Sequence, residues 1–147
     1  MQLVDRVELC NGCGACRVAC KYQCVKMKEN EEGLTRPVVD ENGCQKCNAC
    51  MLFCPIYNPV ELPEFETFYD SAEDVRKRDM APIYRATMRE AKAGKHVEFV
   101  GTLCQIAALK SLRGDKLAHN IAIYPVYCDE EQRKSSAACA ACRFYEK

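Results

Sequence analysis

The chain has 147 residues, 21 of them Lys or Arg and 21 Asp or Glu, so no global field would recruit nucleic acid or an acidic membrane surface. Thirteen cysteines, about 9% of the chain, leave two broad classes, a disulfide scaffold or a metal protein. No apolar run follows a basic start and none approaches the roughly 18 residues of a membrane helix, so a cytoplasmic chain without membrane insertion is expected, its thiolates serving as metal ligands.

The first 54 residues carry nine of the cysteines. Cys10, Cys13, Cys16 and Cys20 stand in CNGCGACRVAC, and Cys44, Cys47, Cys50 and Cys54 in CQKCNACMLFCP, both with the spacing C-x2-C-x2-C-x3-C. Each member of the first set maps onto the second by adding 34 residues, an internal duplication. Three thiolates two residues apart wrap a loop around an iron–sulfur cubane and bind three of its irons. Small residues such as Gly12, Gly14 and Ala15 let backbone amides approach the sulfides. The fourth cysteine, one helical turn on, faces the other way along the chain, and in two-cluster ferredoxins it ligates the partner cluster. Cluster 1 is therefore expected on Cys10, Cys13, Cys16 and Cys54, and cluster 2 on Cys44, Cys47, Cys50 and Cys20.

On these residues the segment 1–60 resembles a bacterial-type ferredoxin domain with two [4Fe–4S] clusters, and Pro55 after Cys54 follows that family's pattern. Lys21 stands where proline is usual after Cys20, which places a cation near cluster 2. A zinc array would favour paired C-x2-C knuckles over this triple-plus-one spacing. Cys24 is read as a buried free thiol packed under a cluster, with a role as alternate ligand as the other reading. Val25, Lys26 and Met27 read as one strand and Pro37, Val38 and Val39 as another, joined as a hairpin through an acidic turn at Glu31, Glu32 and Gly33.

Pro59 and Pro63 end this pattern as an extended linker. Residues 61–80 hold seven acids and three bases, whereas 81–147 hold eleven bases and seven acids. Within the acidic segment Ser71 offers an N-cap, with Asp74 as its capping-box analogue, to a helix running to about Asp79. Pro82 suits the first turn of a second helix with an apolar face of Ile83, Ala86, Thr87 and Ala91, ended by Gly94.

His96 to Val100 then reads as a strand, Gly101 and Thr102 as a turn, Gln105 to Leu112 as a helix, and residues 120–127 as a second strand, a βαβ pattern with parallel strands. The carboxyl ends of parallel strands share an edge, where α/β sheets place ligands. Cys104 follows the first strand and Cys128 the second, and Cys139 and Cys142 supply a C-x2-C pair soon after. These four thiolates are expected to converge, leaving only Cys24 of the thirteen. His96 and His119 have no carboxylate or cysteine at ligand spacing, and no nucleophile–base constellation stands out.

The same stretch resembles the hallmark segment of the coenzyme F420 hydrogenase/dehydrogenase beta-subunit family, G-T-P-C-Q-x-A-x-L, through Gly101, Thr102, Cys104, Gln105, Ala107 and Leu109, followed by Cys128, Cys139, Cys142 and Phe144. Leu103 replaces the usual proline, and the Ser- and Gly-rich region that helps form the family's flavin pocket is missing. That resemblance implies a third [4Fe–4S] cluster on Cys104, Cys128, Cys139 and Cys142, while FAD or FMN is not expected in this chain alone.

The expectation is an α+β ferredoxin-like two-cluster domain over 1–60, an acidic linker or helix over 61–80, and a small α/β (βαβ) domain over 81–147 with a Cys-rich C-terminus. Its function would be electron transfer through three clusters to or from a partner oxidoreductase in an anaerobic host. It would have no catalytic residues of its own, and a redox protein or larger complex, including a flavoprotein, as partner. The alternatives are a compact flavin-dependent oxidoreductase completed by a partner chain, or a two-cluster ferredoxin with a structural zinc site.

Overall fold

The structure, a computed structural model, describes residues 10, 12–29, 35–55, 58, 60–63, 65, 68, 80–113 and 120–126. The acidic hairpin turn, the Ser71 helix, His119, Cys128, Cys139 and Cys142 lie outside these residues.

A short helix α1 (Ala15–Ala19) leads into strand β1 (Val25–Glu29), which pairs antiparallel with β2 (Thr35–Val39) in the register Val25↔Val39 to Glu29↔Thr35. The expected hairpin is present and longer at its turn end than the apolar residues alone suggested. Pro37 is tolerated inside β2 because a two-stranded sheet has only edges, where a missing N–H faces no second neighbour. Val25, Met27 and Val39 turn inward onto a core of Cys16, Cys20, Cys24 and Cys50. The alternation of side chains along a strand puts Lys26, Lys28 and Val38 on the other face, all exposed. Helix α2 (Ala49–Leu52) follows and packs on α1.

Helix α3 (Ala81–Lys92) carries Pro82 in its first turn and is closed by Gly94 at φ 84°, where a left-handed residue costs glycine little. Its buried stripe is Ala81, Tyr84, Thr87 and Ala91, with Ile83 and Ala86 only half-buried, so the inward face is rotated from the one expected. Tyr84 sets the rotation, being the bulkiest side chain on the helix that the core can enclose. The Thr87 hydroxyl is satisfied by donating to the Ile83 carbonyl at 2.7 Å.

Strand β3 (Val97–Gly101) pairs in parallel with β4 (Ile121–Pro125), and α4 (Leu103–Leu112) runs between them in sequence. Helix α4 begins at Leu103, two residues before the Gln105 start expected above, because Thr102 and Gln105 form a capping box. The Thr102 hydroxyl accepts from the Gln105 N–H at 3.4 Å, and the Gln105 side chain accepts from the Thr102 N–H at 3.0 Å. Such a cap contributes about 1 kcal/mol. A β-carbon at position 101 would lie 2.9 Å from Gln105 Oε1 and 3.0 Å from the Phe99 ring, so the box requires Gly101.

Seven of the ten residues of α4 are buried, among them Gln105 to Leu109 without a break. A helix apolar nearly all round is enclosed rather than laid on a surface. It shares one core with Tyr84, Phe99 and Ile121, and with Cys13 and Ala15 from the first cysteine loop. Among the described residues no helix is long and apolar enough to cross a membrane.

Candidate metal centre

The two cysteine loops repeat in backbone as well as in sequence. Gly12 and Gly14 have φ of 75° and 83°, and their counterparts 34 residues on, Lys46 and Asn48, have 56° and 63°. Left-handed backbone is cheap for glycine and tolerable for asparagine, but it costs a residue such as lysine about 1–2 kcal/mol. A lysine held there marks a loop whose shape matters more than its local comfort.

The shape has a visible result. The Gly12 N–H donates to Cys10 Sγ at 3.4 Å, and the Lys46 N–H donates to Cys44 Sγ at the same distance. Gly14 and Asn48 then cap α1 and α2, so that Cys16 and Cys50 each sit in the first turn of a short helix. Amides aimed at cysteine sulfur, in duplicate, fit the donor set of an iron–sulfur cubane, whose ligand sulfurs accept such bonds.

After burial, the charges that raise the Cys16 pKa are those of Cys10, Cys54 and Cys50. Cys50 is also raised by burial, and the charges acting on it come from Cys20, Cys44 and Cys47. Cys16 is thus within reach of the charges of Cys54 and of Cys50 from the second loop, and Cys50 within reach of that of Cys20. Among the described residues no three His, Cys, Asp or Glu side chains close on a point suited to one bare ion. The thiolates of a cubane bind different irons and are spread accordingly.

Cys24 has a definite partner. Its Sγ lies 3.2 Å from Cys20 Sγ, and this hydrogen bond, followed by burial, pushes the Cys24 thiol up to about 12. Burial also acts on Cys20, but hydrogen bonds with Cys24 and from the backbone N–H groups of Cys24, Tyr22 and Gln23 outweigh it and bring its pKa down. Either sulfur of this pair can be the donor. Lys21 is exposed, with its Nζ 5.2 Å from the centre of the Tyr22 ring.

The first loop is roofed by the later half of the chain. Tyr84, fully buried, donates its hydroxyl to the Cys13 carbonyl at 2.5 Å and stacks on Phe99 at 6.0 Å between ring centres. Burial, then the charges of Cys13, Cys104 and Cys16, raises its pKa, which keeps it a donor. Cys104, half-buried in the first turn of α4, sits 3.0 Å from the Thr102 hydroxyl and close enough to Cys13 for its charge to be felt there. Tyr84 escaped the sequence reading, although Tyr84, Thr87 and Ala91 share a helical face and carried the signal. At the second loop Gln45, Lys46, Cys47 and Asn48 are all exposed, and among the described residues no such roof lies over them.

Burial raises the pKa of both Cys13 and Cys16 from the ordinary thiol value, so the metal-free chain keeps these protons well past neutral pH. A thiol must lose its proton to bind iron, so assembly releases protons and grows more favourable as pH rises below the raised pKa values. Each such thiol makes iron uptake about tenfold less favourable per pH unit lowered. Anaerobic reconstitution is accordingly expected to load more iron at about pH 8.5 than at about pH 6.5, and uptake indifferent to pH would contradict this.

The sequence model of a family described as a 4Fe-4S dicluster domain matches residues 9–58. No curated protein and no solved structure matches the chain. Residues 9–58, about a third of the chain, thus match a ferredoxin-type domain, which supports [4Fe–4S] binding and an iron–sulfur electron-transfer role.

Proposed function

We propose that this protein relays electrons through three [4Fe–4S] clusters to or from a partner oxidoreductase, without substrate chemistry of its own. Cluster 1 would be held by Cys10, Cys13, Cys16 and Cys54, and cluster 2 by Cys20, Cys44, Cys47 and Cys50. A third would be held by Cys104 with Cys128, Cys139 and Cys142. A bound cubane supplies a one-electron couple whose potential depends on hydrogen bonds to its sulfurs and on exposure.

The observation that carries this reading is the duplicated loop, with left-handed backbone at the same two positions and an amide donated to the first cysteine sulfur of each repeat. The third site is supported by the resemblance of the Gly101–Leu109 stretch to F420 hydrogenase/dehydrogenase beta subunits and by the position of Cys104 beside Cys13. On this arrangement cluster 1 is the middle of the relay, with the third site on one side and cluster 2 on the other.

Around the first loop the chain excludes water with Tyr84, Phe99, Leu103 and Ile106, while at the second it leaves the loop open. An anaerobic count of iron, acid-labile sulfide, zinc and flavin on the purified chain tests the proposal. About twelve iron and twelve sulfide per chain are expected, with no flavin. About eight of each with one zinc would reduce the protein to a two-cluster ferredoxin with a structural zinc site, and bound flavin would favour a flavin-dependent reductase.

A further inference from the structure

The two loops differ in what covers them. The first lies beneath α3, β3 and α4, with Cys13, Gly14 and Ala15 all buried. The second presents Gln45 to Asn48 to solvent, and Leu52 on the helix that follows is 61% exposed. Among the described residues, Val25, Met27 and Val39 of the β1–β2 hairpin pack over Cys20, Cys24 and Cys50.

The outer face of that hairpin has a definite chemistry. Lys26 is paired in register with Val38 and Lys28 with Arg36, so two exposed lysines and a half-buried arginine surround an exposed valine. Two more exposed lysines, Lys21 and Lys46, follow Cys20 and precede Cys47. Around the hairpin and the second loop the exposed acids among the described side chains are Asp40 and Glu41, which lie past the end of β2, while the side chains of Glu29, Glu31 and Glu32 lie outside those described. A small apolar centre rimmed by cations is the composition of a docking patch for a partner of opposite charge, where rim charges set the encounter rate and the specificity.

We infer that the outer face of the β1–β2 hairpin, carrying Lys26, Lys28, Arg36 and Val38, is the docking surface for an acidic electron-transfer protein that exchanges electrons at the exposed second loop. This rests on the ferredoxin-type reading of residues 9–58. Lysines on a two-stranded hairpin also discourage edge-to-edge pairing, but those two sit on the outer face of the layer that covers Cys20 and Cys50.

The test uses an acidic flavodoxin as probe and the anaerobically purified full chain, with binding read by calorimetry. Binding is expected to weaken at least about tenfold between low and moderate salt. At low salt the Lys26→Glu, Lys28→Glu pair is expected to weaken it at least about tenfold, and the Lys26→Gln, Lys28→Gln pair about threefold. The same reversal at Lys92 and Lys95, exposed at the end of α3, should change it less than about twofold.

No binding of the flavodoxin at any salt, no loss on reversal or neutralisation at Lys26 and Lys28, or an equal loss from Lys92 and Lys95 would each overturn the docking face. Iron and sulfide counted on the same preparations separate the two claims. A chain without iron sinks the ferredoxin reading, whereas a fully loaded chain with indifferent binding sinks the docking face alone.

Discussion

Replacing Cys54 with serine is expected to cost the protein about four irons, or about one if the site settles as a three-iron cluster, while the second cluster stays whole. Cys54 is distant in sequence from the first loop, yet its charge is felt at Cys16 next after that of Cys10. Cys20→Ser should strike the opposite cluster, because Cys20 leads the charges acting on Cys50. For so small a two-cluster domain, metal binding is a large part of the folding free energy, so the Cys54 variant should also lose helical structure. Iron and sulfide analysis with EPR of the oxidised protein decides the matter. Retention of both four-iron clusters in Cys54→Ser would reject the crossed ligation.

The second large effect is at Tyr84. Truncation to alanine removes a fully buried ring, its stacking on Phe99 and the hydrogen bond to the Cys13 carbonyl. Losses of this kind cost about 3–5 kcal/mol. For a chain of this size that corresponds to a thermal midpoint lower by roughly 8–16 °C. Tyr84→Phe keeps the ring and leaves the Cys13 carbonyl without its donor, a cost of about 1–3 kcal/mol. The ordering of wild type, phenylalanine and alanine, followed by circular dichroism on heating, is the expected result. A phenylalanine variant as stable as wild type would mean that the ring alone holds the two halves together.

Local patterns were legible from the residue types. The duplicated cysteine spacing stands out at an offset of 34, and the hairpin follows from two short valine-containing runs separated by an acidic turn. The start of α4 was open to the same kind of reading, because Thr102 followed three residues later by Gln105 is a capping-box pattern. Gly101 beside it has the competing pattern of a turn. The backbone identity of the loops was not legible, since Gly12 and Gly14 announce a left-handed conformation but Lys46 does not. Nor was the roof over Cys13, for a tyrosine 71 positions away leaves no local trace of where its hydroxyl goes. The Cys24–Cys20 hydrogen bond depends on side-chain placement at the cap of α1, which spacing alone does not specify.

The separation between Cys13 and Tyr84 also has a consequence for how the protein is made. A ribosome adds about 5–20 residues per second, so those 71 positions correspond to roughly 4–14 seconds of synthesis. The first cysteine loop therefore leaves the ribosome about that long before its cover does, and in the meantime its thiols are open to iron, sulfide or an oxidant. Once α3 and α4 arrive, Cys13 and Ala15 are shut into the core. The first loop therefore has an early window of access in the life of each chain, whereas the second, with Cys47 at the surface, remains open after folding is complete.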